Sequence, residues 1–327
     1  MTLEGKNVLI TGGTGSFGKA YARHILENYN LNKLVLFSRD EQKHYVQKRE
    51  FSVWGDKVQL VIGDIRDRDK VFEVCRGMDV VIHSAAMKHM PMAEEHPMEA
   101  IKTNVLGSQN LIDACVFHKV KKVVALSTDK AALPINVYGG TKLLLERLFI
   151  TANAQHGENT SFAVVRYANV FGSKGSVIPL FMKLKDSGEL PITHPEMSRF
   201  SITMDEGIAL IQFAIERSLG GEIIVPIAPS YKVGDVAEAV CPSCEKKIIG
   251  PRVAEKMHEV LVSEFEAKQT IKAGHYYLIL PELGTKDTDA YIKHYNNARR
   301  VALNEYSSGT NADWLSIEDI RRMIAQL

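Results

Sequence analysis

Tyr138 and Lys142 stand four residues apart in a stretch, Tyr138 to Phe149, that reads as a helix, and this spacing puts a phenol and an ammonium on one face. A free tyrosine ionises near ~10, so at neutral pH it is a poor base until a neighbouring cation favours its phenolate. Lys142 and an oxidised nicotinamide ring would each supply that charge. The pair follows Ser127-Thr128, which end an apolar run, so the chemistry expected here is removal of a hydroxyl proton beside a hydride acceptor.

The amino-terminal segment offers a place for such an acceptor. Thr11-Gly12-Gly13-Thr14-Gly15-Ser16-Phe17-Gly18 lies between an apolar run, Lys6 to Ile10, and a helical stretch, Lys19 to Asn28. Gly12, Gly15 and Gly18 suit a tight turn, close approach of backbone N–H groups to a pyrophosphate, and close helix-to-strand packing. The next strand-like run, Lys33 to Phe37, is followed by Ser38-Arg39-Asp40-Glu41. An NAD site would place an acid directly at that strand end, whereas serine and arginine offer donors to a 2′-phosphate, so the expected cofactor is NADP. Gly63-Asp64-Ile65 follows a third run, where a carboxylate meets an adenine amine or simply makes a turn.

Holding these groups together requires a sheet. Val58 to Ile62, Val80 to His83, Val123 to Ser127 and Phe162 to Arg166 are further strand-like runs, with helix-like stretches between them. The alternation implies an α/β fold, a doubly wound parallel sheet of the Rossmann type covered on both faces. Beyond Arg166 the pattern is interrupted by Pro179, Pro191, Pro195, Pro226 and Pro229. A second, smaller α/β substrate lobe is expected there, at the carboxyl ends of the strands. The expected division is residues 1–165 for the NADP-binding domain, with a returning segment near 200–225, and 166–327 mainly for the substrate domain.

Lysine and arginine total 40 against 39 aspartates and glutamates, so the overall charge gives no reason to expect nucleic acid or a membrane as partner. No apolar run approaches the ~20 residues of a bilayer span, and a cytoplasmic protein is expected. Cys75 and Cys115 read as small core residues. Cys241-Pro-Ser-Cys244 is half of a zinc site whose other half is missing, so a plain loop with reduced thiols is expected. His83, His89 and His96 close no ligand set, and no metal is expected; Met87, Met90, Met92 and Met98 read as core and pocket lining.

Together these residues resemble the extended short-chain dehydrogenase/reductase family over nearly the whole chain, and within it the inverting UDP-N-acetylglucosamine 4,6-dehydratases. The diagnostic stretch is Ser127-Thr128-Asp129-Lys130-Ala131 followed by Pro134-Ile135-Asn136-Val137-Tyr138-Gly139. Ala85-Ala86-Met87-Lys88-His89, Arg166-Tyr167-Ala168-Asn169-Val170, Gly175-Ser176-Val177-Ile178-Pro179, Ser198-Arg199-Phe200 and Tyr306-Ser307-Ser308-Gly309-Thr310-Asn311 match as well. The resemblance implies that Tyr138 takes the proton of the sugar 4-hydroxyl while hydride leaves carbon 4 for NADP. Water is then eliminated across carbons 5 and 6, and hydride returns to carbon 6.

By the same resemblance Asp129 is the acid and Lys130 the base, with Thr128 in the catalytic set. Retaining relatives carry Asp-Glu at this place, and the changed base goes with reprotonation on the opposite face of carbon 5. A lysine base needs its pKa lowered from ~10.4, which Lys142, Lys88 and the nicotinamide are expected to do. The implied cofactor contacts are the turn residues already named together with Ser38, Arg39, Asp64, Ile65, Ser84, Ala85, Lys88, Asn104, Tyr138 and Lys142. The implied substrate contacts are Lys88, Asn169, Val177, Thr193, Arg199, Arg252 and Glu255. Arg252-Val253-Ala254-Glu255-Lys256 departs from the family's R-P-G-E-K, Ala168 replaces a usual glycine, and Leu133 replaces a usual asparagine. The implied partners are UDP-N-acetylglucosamine or a close UDP-sugar and further copies of the chain, as a dimer or hexamer. The rival readings are a UDP-N-acetylhexosamine epimerase and a non-catalytic NADP-binding protein.

Overall fold

The apolar runs form the middle of a ten-stranded sheet in the computed structural model, which describes residues 1–173, 175–282 and 287–327. Its parallel part comprises β1 (Asn7–Thr11), β2 (Lys33–Ser38), β3 (Val58–Ile62), β4 (Val80–His83), β5 (Lys122–Thr128) and β6 (Ser161–Tyr167). They lie in the order β3-β2-β1-β4-β5-β6 and are continued by the strand Ile223–Pro226. All of β4, and β1 from Val8 onward, is buried, as expected of strands covered on both faces. The order reverses between β1 and β4, which opens a crevice at their carboxyl ends. Three antiparallel strands, Tyr276–Ile279, Thr270–Ala273 and Arg299–Arg300, extend the sheet beyond Ile223–Pro226.

Each strand-like run recurs with its ends moved by no more than a residue, while the helices start earlier than their apolar periodicity suggests. The helix expected from Tyr138 runs Val137–His156 because Asn136 caps it, its side chain accepting from the Gly139 N–H at 2.7 Å. Gly139 has a second duty. A Cβ there would collide with the carbonyl oxygen of Lys130, so only glycine lets the first helical turn rest on the short turn Asp129–Ala131.

The second layer of structure begins after β6. Asn169–Val170, Ser198–Ile202 and Ser230–Lys232 form a three-stranded sheet, and Glu189–Ile192 pairs with Glu245–Ile248. Helices Val177–Leu184, Val233–Val240 and Ile317–Ile324 share a separate core with these strands, around Phe181, Leu190, Val236 and Ile320. Helix Met204–Arg217, by contrast, packs back on β5 and β6.

Cys241 and Cys244 are joined in a disulfide, which corrects the expectation of reduced thiols. The turn after helix Val233–Val240 brings their Cα atoms to 5.4 Å, inside the span such a bond requires. Met98 lies exposed on a short helix and is not core, while Cys75 and Cys115 are buried. Among the described residues no helix is long and apolar enough to cross a membrane.

Candidate active site

A cavity of about 1080 Å³ lies between the carboxyl ends of the parallel strands and the second lobe. One end is the glycine turn. Gly12 has φ +68°, and a Cβ on it would stand 2.8 Å from the Ala85 backbone nitrogen, so the turn and the loop after β4 meet only because a side chain is missing. No side chain caps helix Ser16–Asn28, which leaves its first N–H groups to a ligand anion. Gly12, Thr14, Gly15, Ser16, Phe17, Gly18, Ser38, Arg39, Ile65, Ser84, Ala85 and Lys88 all line this end. The cradle fits a dinucleotide pyrophosphate.

Two expected cofactor contacts stand outside the lining. Asp64 accepts hydrogen bonds from the backbone and guanidinium of Arg66 and lies 3.6 Å from Arg39. Partial burial pushes its carboxyl up, but the Arg66 hydrogen bonds and the Arg39 charge outweigh this and hold it low. Asn104 is fully buried behind the wall. Its amide donates to the Met87 carbonyl and to Thr141 Oγ1, both at 2.9 Å, and its oxygen accepts from the Met87 N–H. It therefore shapes the loop that carries Lys88.

The floor of the cavity carries the reactive groups. Thr128 Oγ1 donates to Asp129 Oδ1 at 2.7 Å, and Lys130 Nζ lies 3.1 Å from that oxygen. On its other side Lys130 Nζ is 3.3 Å from Glu259 Oε1. Burial pushes the Tyr138 phenol up, opposed by the Lys130 charge. Lys142 Nζ donates to the Leu126 carbonyl, and burial lowers it to about 8 against the pull of Glu146. The Lys130 charge thus acts on the phenol from the floor of the cavity, against that of Asp129.

The protonation expected of Lys130 is corrected as well. Burial does pull its ammonium down, but Asp129 and Glu259 more than reverse this and hold it above the ordinary lysine range, with Arg199 opposing them. Lys88 and Lys142 do not enter that balance.

Asn169, Val177, Thr193, Arg199, Arg252 and Glu255 line the opposite end. Arg199 donates to Glu255 Oε1 at 3.1 Å, and the Arg252 N–H donates to Glu255 Oε2 at 3.1 Å. Ala254, at the place of the usual glycine, keeps a left-handed φ of +57°, so the loop retains the glycine-type conformation with an alanine. Leu133 sits at φ +49°, a region asparagine tolerates better than leucine, which accounts for the asparagine usual there.

Among the lining residues without a role in the sequence reading are Glu259 and Lys256, the latter donating to the Ala132 carbonyl at 2.6 Å. Both follow an irregular segment with no periodicity to point at them. His83 is buried between Thr11 and Ser108, and burial lowers it to about 3 with Lys142 adding to the effect, so it stays neutral. Among the described residues no three histidines, cysteines or carboxylates converge on a metal position.

The polysaccharide biosynthesis protein family matches residues 8–281. The inverting UDP-N-acetylglucosamine 4,6-dehydratase of Campylobacter jejuni is 45% identical over 98% of this chain and 97% of its own. The X-ray structure of Pen from Bacillus thuringiensis superposes with a TM-score of 0.91 at 36% identity, covering 100% of this chain and 99% of that one. DesIV of Streptomyces venezuelae, a dTDP-glucose 4,6-dehydratase solved with NAD and TYD bound, shares the fold with a TM-score of 0.66 at 20% identity over 77% of this chain and 86% of that one.

NAD in such a neighbour overturns the expectation of NADP, and the geometry gives a reason. The two donors reserved for a 2′-phosphate are engaged within the protein, Ser38 Oγ with Thr14 Oγ1 at 2.7 Å and Arg39 with Asp64. With the Rossmann sheet, the glycine cradle and the Tyr138 and Lys142 pair in one cavity, and with relatives matching end to end, the chain belongs to the polysaccharide biosynthesis protein family within the extended short-chain dehydrogenase/reductase superfamily.

Proposed function

We propose that this chain converts UDP-N-acetylglucosamine into its 4-keto-6-deoxy product with inversion at carbon 5, using NAD. The observation that carries this reading is the convergence of Thr128, Lys130 and Tyr138, with Asp129 directly behind them, on one cavity floor. The 45% identity to the Campylobacter enzyme over 98% of the chain supports the same reaction.

A dinucleotide held in the glycine cradle would supply the hydride acceptor for carbon 4 and the hydride donor for carbon 6. Everything else falls to the protein. Tyr138 Oη takes the 4-hydroxyl proton, and the Lys130 charge favours its phenolate. The ketone then acidifies the proton on carbon 5. Lys130 Nζ removes that proton and the Asp129 carboxyl delivers one to the departing 6-hydroxyl, so water leaves. Lys88, Asn169 and Val177 hold the sugar. Thr193, Arg199, Arg252 and Glu255 hold the nucleotide diphosphate end. Lys142, Ser84 and Ala85 hold the nicotinamide half.

Incubation with UDP-N-acetylglucosamine and NAD in deuterated water, followed by NMR, tests the reading. The expected product is lighter by one water, inverted at carbon 5 and deuterated there. A product of unchanged mass, altered only in configuration, would assign an epimerase instead.

A further inference from the structure

Lys130 raises a problem that the proposed reaction does not solve by itself. An amine abstracts a proton only when it is neutral, and this one lies between two carboxylates, 3.1 Å from Asp129 and 3.3 Å from Glu259. If Asp129 starts as the acid it already holds a proton and cannot accept another. That leaves Glu259.

Glu259 is built into place more firmly than a passing counter-ion. It is 2% exposed, its N–H is 2.9 Å from Ser308 Oγ, and its carbonyl accepts from the Ser308 N–H at 2.8 Å. Ser308 Oγ in turn bonds Ser198 Oγ at 2.8 Å, and Ser198 Oγ bonds His258 Nδ1 at 2.7 Å. This accounts for the Tyr306 to Asn311 motif, which does not line the cavity: it anchors the strand that presents Glu259. One carboxyl oxygen of Glu259 faces Lys130, with Arg199 Nε at 3.8 Å, while Oε2 is buried with no hydrogen-bond partner among the described residues. A buried oxygen left open in this way is ready to carry a proton.

We propose that Glu259 is a positioning residue for the elimination, accepting the ammonium proton of Lys130 so that a neutral amine faces carbon 5 of the sugar. The inference rests on the dehydratase reading. In the first step the Lys130 N–H bond breaks and a Glu259 O–H bond forms, so ammonium and carboxylate become amine and carboxylic acid with no change in net charge. Lys130 then takes the carbon 5 proton as Asp129 gives its own to the leaving oxygen. The transfer to Glu259 follows oxidation at carbon 4, during which the Lys130 charge still supports the phenolate. The sugar-filled cavity favours it, because a neutral pair survives the loss of water better than an ion pair. The charged and titratable groups around Lys130 are Asp129 on its own turn, Glu259, Arg199 from the second lobe, Lys256 from the loop before Glu259, and the phenols of Tyr138 and Tyr231.

Internal exchange of the proton has a kinetic signature. A pair that shares its proton needs none from solvent, so the elimination rate of the native enzyme is flat with pH over about two units around neutrality. Glu259→Gln removes the acceptor without changing shape, and Lys130 must then lose its proton to water. The expected result is elimination slower by about 10²-fold and rising about tenfold per pH unit. With substrate deuterated at carbon 5 the variant shows a full isotope effect. Glu259→Asp keeps an acceptor and restores the flat profile at reduced rate, which also guards against misfolding of the glutamine variant. A glutamine variant whose profile stays flat, or an aspartate variant as steep as the glutamine one, overturns the proposal. Native enzyme that yields no dehydrated sugar removes the function reading itself, and this inference with it.

Discussion

Arg166 and Lys130 are each flanked by a pair of carboxylates, and they end up with opposite roles. Arg166 on β6 lies between Glu146 and Glu266 and is fully buried. Every N–H of its guanidinium is used, donating to both oxygens of each carboxylate and to the Leu261 carbonyl. Lys130 lies between Asp129 and Glu259 and keeps 17% of its side chain exposed, on a cavity. There Asp129 Oδ2 and Glu259 Oε2 are buried without a hydrogen-bond partner among the described residues. The planar fork of arginine satisfies both acids at once, whereas a single ammonium leaves an oxygen of each open. Satisfied polar groups hold a fold together, and unsatisfied ones beside a cavity are free to move protons.

The strongest way to break the comparison is Arg166→Leu. It strands two carboxylates in the interior, and a stability loss of about 3–5 kcal/mol is expected, read as a lower urea midpoint. Lys130→Ala comes next and acts in the opposite sense. Elimination falls by about 10²- to 10⁴-fold while dinucleotide affinity is nearly unchanged, as isothermal titration would show. Its stability cost is only about 1–2 kcal/mol, because cavity water takes the place of the amine. If Lys130→Ala unfolds the protein as Arg166→Leu does, the two clusters are alike and the distinction is lost.

An acid titration sharpens the same contrast with a smaller effect. Burial pushes the Glu266 carboxyl up, but Arg166 and the Ser263 hydrogen bonds overcome it and lower it to about 2 from an ordinary 4.5. A depressed folded pKa means stability that is fully present above the unfolded value and disappears as pH falls through the folded one. Between about pH 4.5 and about pH 2, then, Glu266 accounts for a loss of roughly 3 kcal/mol at most. Unfolding by urea across that window measures it, and Glu266→Gln should flatten the dependence.

The sheet was legible in the sequence because strands covered on both faces are short apolar runs, as fully buried β4 is, and the half-exposed edge strand β3 keeps the same expected ends. Tyr138 and Lys142 were legible through helical spacing, and Asp129 and Lys130 through resemblance. Glu259 was not, since its place depends on Ser308, some fifty positions along the chain, and no local pattern links them. Asp64 and Asn104 were expected at the cofactor, but their hydrogen bonds turn them to Arg66 and to the Met87 loop. NADP was read from residue types at a strand end, which do not reveal that Ser38 and Arg39 already have protein partners. The Cys241 and Cys244 bond was missed because composition speaks to compartment and not to the distance between two side chains.

The smallest effect expected is at Leu133, and it bears on why the reactive turn holds its shape. Among the described residues, the non-glycine positions with left-handed φ are Lys119, Leu133, Ala254 and Asn297. Two of these flank the Lys130 cluster, and none lies in β6 or in Glu264–Ala267, the elements that hold the Arg166 cluster. The strain at Leu133 is held by its neighbours, since Lys256 donates to Ala132 O and helix Val137–His156 rests on the Lys130 carbonyl through Gly139. Leu133 is 45% exposed, so replacing it removes little packing. Leu133→Asn should therefore raise stability by about 1 kcal/mol, seen as a higher urea midpoint, with turnover within about twofold of native. Greater stability with unchanged turnover would mean that packing alone fixes the aim of Lys130; a fall in turnover would show that the strained turn helps to press the amine toward the sugar.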